Sequence, residues 1–123
     1  MPEGDLDRVE QTEIAGEIGA LKQRIAEGQT SVTMEELAVL DSNLEDATPL
    51  VPIIIKMIEN RKKLDRNMLC EEILAGHDTQ DPVVRAKNIN NVKQTIHNLI
   101  YVGVLGENEE KNKAVELMVE IKE

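Results

Sequence analysis

Tyr101 is the sole Phe, Tyr or Trp among 123 residues, and no other feature of the chain constrains its fold as tightly. Aromatic rings are the largest units with which a core can be filled. A core without them has to be assembled from Ile, Leu, Val and Met. The same lack speaks against single-stranded nucleic-acid binding, which stacks bases on exposed aromatic platforms. A chain of 123 residues with 41% hydrophobic side chains can bury one modest core, so a single folded unit is expected. The longest apolar cluster, LVPIII at 50–55, is far short of a membrane span. The opening MPEGDLDRVE has neither the basic lead nor the apolar stretch of a secretory signal. Cys70 is the only cysteine, so an intrachain disulfide is impossible and a reducing compartment fits. The expected location is intracellular, cytoplasmic or nuclear, with no membrane contact.

Charge divides the chain unevenly. Residues 1–48 carry 12 acidic and 3 basic side chains, a net of −9. Residues 49–105 carry 6 acidic and 8 basic, a net of +2, and residues 106–123 carry a net of −3. Only the middle segment is suited to meet a phosphate backbone; the ends repel one. The division predicts an acidic helical extension over 1–48 and a folded domain over 49–123.

Apolar spacing supplies the elements. Ile14, Ile18, Leu21 and Ile25 fall at intervals of 4, 3 and 4, predicting a helix from about Leu6 to Ala26. Its stripe either folds back on the domain or pairs with a second copy of the chain. Gly28 to Val32 reads as a linker. Thr33 with Glu36 forms a capping box for a short helix through Leu37 and Leu40, followed by a turn at Asp41-Ser42-Asn43. Thr48-Pro49 opens the next helix, which becomes regular at Pro52 and is apolar nearly all round through Ile53, Ile54, Ile55, Met57 and Ile58. Asp65 caps a helix bearing Met68, Leu69, Ile73 and Leu74, with Gly76 at its C-terminal cap. Asp81-Pro82 starts a long helix with a stripe of Ile89, Val92, Ile96, Leu99 and Ile100, ended by Gly103.

The last stretch admits two readings. Val115, Leu117, Val119 and Ile121 alternate as in a strand, whereas Ala114, Leu117, Met118 and Ile121 would share a helix face. The strand reading makes a hairpin: Val102 to Leu105, the polar tip GENEEKNK, then the strand. Three helices followed by a β-ribbon make a winged helix. The expected fold is therefore mainly α with a small β-ribbon, a winged helix-turn-helix with an N-terminal helical extension. An all-α helical bundle is the alternative. Ile54, Ile58, Leu69, Ile73, Ile89, Val92, Ile96, Leu99 and Leu105 should be buried together.

Residues 54–105 resemble the C-terminal winged-helix domain of cullins. The segment IIKMIENRKKLDRNMLCEEI resembles that domain's opening through Ile54, Ile55, Lys56, Met57, Arg61, Lys62, Leu64, Leu69, Glu72 and Ile73. The segment VKQTIHNLIYVGVL resembles its third helix through Val92, Lys93, Ile96, Leu99, Ile100 and Leu105. The resemblance implies the winged-helix fold. It does not extend to the family's acceptance of a ubiquitin-like modifier, because Glu59 stands where the acceptor lysine would be.

The candidate binding residues are polar side chains of the long helix, Arg85, Lys87, Asn91, Lys93, Gln94, His97 and Asn98, with Lys111 and Lys113 on the wing. Asn, Gln, Arg and Lys are the side chains that read base edges. A basic cluster, Arg61, Lys62, Lys63 and Arg66, serves either a helix C-terminus or an anionic partner. The acidic extension either screens this basic face or recruits a basic partner itself. His77 and His97 lack the ligand spacing of a zinc site, and no cofactor or metal is expected. No phosphate loop or nucleophile elbow is present, and Ser31, Ser42 and Cys70 have no positional case as nucleophiles. The expectation is a non-catalytic protein–protein interaction or scaffold module. A DNA-binding regulator using the helix 83–102 is the alternative.

Overall fold

Three helices and a hairpin form around the aliphatic stripes. The computed structural model describes residues 16–61, 63–77 and 79–122. Among these, helix α1 covers 16–26; the expected start near Leu6, and Ile14 with it, lie outside the described residues. There follow strand β1 (Ser31–Thr33), helix α2 (Met34–Leu37) with a 3-10 turn at Ala38–Leu40, and helices α3 (Val51–Asn60), α4 (Arg66–Gly76) and α5 (Pro82–Val102). Strands β2 (Leu105–Asn108), β3 (Ala114–Leu117) and β4 (Glu120–Lys122) complete the chain. The fold is mainly helical, with two small two-stranded sheets. The strands at 114–117 and 120–122 exclude an all-α bundle.

The local signals act as their chemistry requires. The Asp65 carboxylate accepts from the Met68 N–H at 2.8 Å, and that of Asp81 from the Val83 N–H at 2.9 Å. Gly103, at φ 96°, closes α5 in a Schellman motif: its N–H donates to the Ile100 carbonyl and the Val104 N–H to that of Leu99. This cap keeps Val102 in the helix, so the hairpin starts at Leu105 and not at Val102. Gly76 is the last residue of α4 and is not left-handed; the capping position falls on His77, at φ −131°.

The hairpin pairs Leu105 with Leu117 and Asn108 with Ala114. Beyond Leu117 the alternating stretch leaves it. Glu120–Lys122 pairs in parallel with Ser31–Thr33, which makes a strand out of part of the expected linker at 28–32. The α3–α4 connection also meets the ribbon, where the Val115 N–H donates to the Leu64 carbonyl at 2.7 Å.

Eight of the nine expected core residues are buried; Ile89 is half-buried. The core extends beyond them. Leu21, Val32, Leu37, Leu40 and Leu44 join the same cluster as Leu50 and Ile54, so packing is continuous across the charge boundary at 48.

The segment between α2 and α3 is fixed by side chains from a distance. Asp41 accepts from the N–H groups of Leu50 at 3.0 Å and Val51 at 2.9 Å, acting as the cap that α3 lacks locally. The Thr95 hydroxyl accepts from the Ser42 N–H and donates to the Asn91 carbonyl, and Asn88 accepts from the Glu45 N–H. Thr95 is fully buried and Asn88 nearly so, yet no buried side-chain polar atom among the described residues lacks a partner.

Candidate functional site

Helix α5 presents three faces, because successive residues turn by about 100°. One carries Asn88, Val92, Thr95, Ile96, Leu99 and Val102 into the core. A second faces the 41–48 segment. Here Asn91 is half-buried, and the Asn98 amide donates to the Leu40 carbonyl at 3.2 Å. The Asn98 side chain thus serves the fold, and Asn91 is only partly open. The third face is open. Lys87, Asn90, Gln94, His97 and Tyr101, spaced 3, 4, 3 and 4, make a continuous exposed stripe with Lys93 beside it.

Four of the cations expected to meet a partner are matched by carboxylates. Lys87 Nζ lies 3.8 Å from Glu45, Arg66 is 2.8 Å from Glu107 on β2, and Lys111 is 3.6 Å from Glu116 on β3. Arg61 pairs with Glu72 of α4. The Arg85 guanidinium donates to the Thr79 carbonyl at 2.6 Å. Lys93 has no ion-pair partner among the described residues. Lys62 lies outside them. Lys111 shares a shallow cleft of about 640 Å³ with Lys63, Asp65, Met68 and Asn112, beside the first turn of α4 and away from α5. Lys113 is exposed at φ 62° in the hairpin between β2 and β3. Part of the expected screening by the acidic segment is visible at Glu45; residues 1–15 lie outside the described residues.

Between α4 and α5 runs a groove of about 310 Å³. Its α4 wall is Arg66, Asn67 and Cys70, and its α5 wall is Asn90, Lys93, Gln94 and His97 over Ile96. Cys70 is 7% exposed, and burial pushes its thiol above the usual cysteine range despite nearby Lys93. That holds it as the neutral thiol and away from the reactive thiolate.

The α1 stripe turns inward. Leu21 is buried, Ile18 and Ile25 are half-buried, and Ile25 packs against Gly103, where a Cβ would lie 3.1 Å from its Cγ2. Lys22 Nζ sits 3.8 Å from the centre of the Tyr101 ring, and His97 stacks on the other side chain's ring at 6.4 Å between centroids. Tyr101 was visible to spacing, four residues beyond His97 on the open stripe, yet its polar neighbours alone suggested the binding face. Asn67 and the groove floor had no sequence signal, since they depend on how α4 crosses α5.

Among the described residues, no group of three or more His, Cys, Asp or Glu side chains is arranged to hold a metal. His77 lies across α5 from the stripe, by Glu45 and Asp46 in a cleft of about 320 Å³, and Asp78 is outside the described residues. No described helix is long and apolar enough to cross a membrane. Comparison with protein-family models, curated proteins and solved structures returns no match.

Proposed function

We propose that this chain is a non-catalytic protein–protein interaction module of an intracellular assembly, built on a winged-helix scaffold and presenting the open stripe of α5 to its partner. The element order α3, α4, α5, β2, β3 supports the scaffold. So does the Leu64–Val115 bond, which stands where a winged helix has its third, short strand. The likeness to cullins is one of fold. Glu59 is exposed on α3 and borders a cleft of about 460 Å³ with Ile58, Lys111, Val115, Glu116 and Leu117, and its carboxylate offers no amine to a modifier. A lone cysteine, buried as the neutral thiol, fits a reducing interior.

The observation that carries the reading is the pairing of the cations. Duplex binding draws its affinity from phosphates neutralised by Lys and Arg. Here Lys87 and Lys111 already face carboxylates within 4 Å, so each phosphate contact at them would bring a repelling charge with it. What remains open on α5 is Tyr101, 47% exposed, with His97, amides and Lys93, which has no ion-pair partner among the described residues. An exposed tyrosine among polar groups suits the centre of a protein interface.

Two measurements on the full chain test the proposal. A salt-titrated duplex-DNA assay should find no binding at low salt, and the pair Arg85→Glu with Lys93→Glu should leave that unchanged. A photo-reactive residue at Gln94 should give a protease-sensitive adduct in cells, while one at Lys56 on α3 should not. Duplex binding that falls steeply with salt and vanishes in the charge-reversed pair would establish the DNA alternative.

A further inference from the structure

The α4–α5 groove stands out by its charge. The chain has 24 acidic side chains and a net charge of −10, yet no carboxylate lines this groove among the described residues. Lys93 stands on one wall without an ion-pair partner, and Arg66 on the other reaches across to Glu107 with one guanidinium nitrogen. A guanidinium has five donors, so engagement with Glu107 leaves others for a second carboxylate. Between the cations lie the amides of Asn67 and Asn90, and Ile96 gives the floor an apolar base. At about 310 Å³ the groove has room for one or two side chains. It also opens onto the α5 stripe, because Asn90, Gln94 and His97 belong to both.

We infer that the groove is the docking point of an acidic peptide segment of the partner, whose carboxylates meet Lys93 and Arg66 while the chain continues towards Tyr101. This rests on the protein-interaction reading of α5 and adds the chemistry of the partner. Charge complementarity is the argument. In a chain of net charge −10, a carboxylate-free cationic groove favours an acidic segment there over the clefts that carry carboxylates. A basic segment would be drawn to those clefts instead.

The test uses the full chain labelled for NMR and a short synthetic Glu/Leu peptide, with its Lys/Leu counterpart as the control probe. The acidic peptide should shift the amide signals of Arg66, Asn67, Asn90 and Lys93, and the basic one should not. Lys93→Glu should weaken the acidic peptide about tenfold or more, Lys93→Met should do so less, and Lys56→Glu should leave it unchanged. The interaction should fade as salt rises. Both Lys93 variants change an exposed residue, and an unchanged spectrum elsewhere verifies folding. Shifts confined to other surfaces, or equal affinity in Lys93→Glu, overturn the inference. If Gln94 cross-links to protein while the acidic peptide leaves the groove untouched, this inference fails and the protein-interaction reading stands. If a DNA duplex occupies the same residues more tightly than the peptide, both fail.

Discussion

Two stretches of this chain share one core but are held in it by different forces. Residues 51–117 fold by periodicity: three helices and a hairpin place Ile54, Leu69, Val92, Ile96, Leu99 and Leu105 together, and the side-chain caps of α4 and α5 lie beside the helices they serve. Residues 31–50 contribute Val32, Leu37, Leu40, Leu44 and Leu50 to the same core, yet the second half of that path, 41–50, has neither helix nor strand. It is fixed by single side chains reaching backbone from far away, Asp41 to α3 and Thr95, Asn88 and Asn98 from α5. The contrast teaches that α5 does two jobs. One flank clamps the 41–48 segment, and the face next to it stays open.

The largest effect should come from the periodic stretch. Leu99→Ala removes a fully buried side chain and should cost about 3–5 kcal/mol in denaturant unfolding. Next comes the remote cap: Asp41→Ala strands the N–H groups of Leu50 and Val51 and should cost about 2 kcal/mol. If Asp41→Ala costs as much as Leu99→Ala, the two stretches are not held by different means and the comparison breaks. Thr95→Val keeps the shape while leaving the Ser42 N–H without its acceptor, for about 1–2 kcal/mol. Hydrogen exchange sharpens the point, since Thr95→Val should expose the amides of 42–45 before those of α5.

The smallest effect lies at the capping box of α2. Thr33→Ala should cost about 1 kcal/mol near neutrality. The Thr33 N–H, and then neighbours including Gln29 and Arg24, hold the Glu36 carboxyl below its ordinary 4.5 despite some desolvation. A carboxyl whose pKa falls on folding stabilises the native state above the unfolded value and loses that contribution as pH falls through the lowered one. The difference between Glu36→Gln and the parent chain should therefore narrow once pH drops below about 4.5, as unfolding at a series of pH values would record.

What could be read from sequence follows the same division. Asp65, Asp81-Pro82, Gly103 and the Thr33–Glu36 box lie within a few residues of what they organise, so their chemistry is local and legible. The Val115–Leu117 alternation likewise gives the hairpin strand. Ser31–Thr33 has too few residues to show a period, and its partner at 120–122 lies at the other end of the chain. The role of Asp41 was hidden because its acceptor oxygens serve residues nine and ten positions ahead. Asn91 and Asn98 belong by spacing to α5's polar side. Only the folded 41–48 segment, lying against that side, separates them from Gln94 and His97. The pairing of Lys87 with Glu45 was invisible for the same reason: the acidic and basic segments differ in sequence charge but meet in space.

The central claim, that α5 meets a protein partner through its open stripe, is tested most directly by a cross-linking scan along the helix in cells. A photo-reactive residue would be placed in turn at Lys87, Asn90, Asn91, Gln94, His97, Asn98 and Tyr101 of the full chain. Protease-sensitive adducts at Lys87, Asn90, Gln94, His97 and Tyr101, with little or none at Asn91 and Asn98, are the predicted result. Adducts that ignore this helical period, or that are destroyed by nuclease and not by protease, would contradict it.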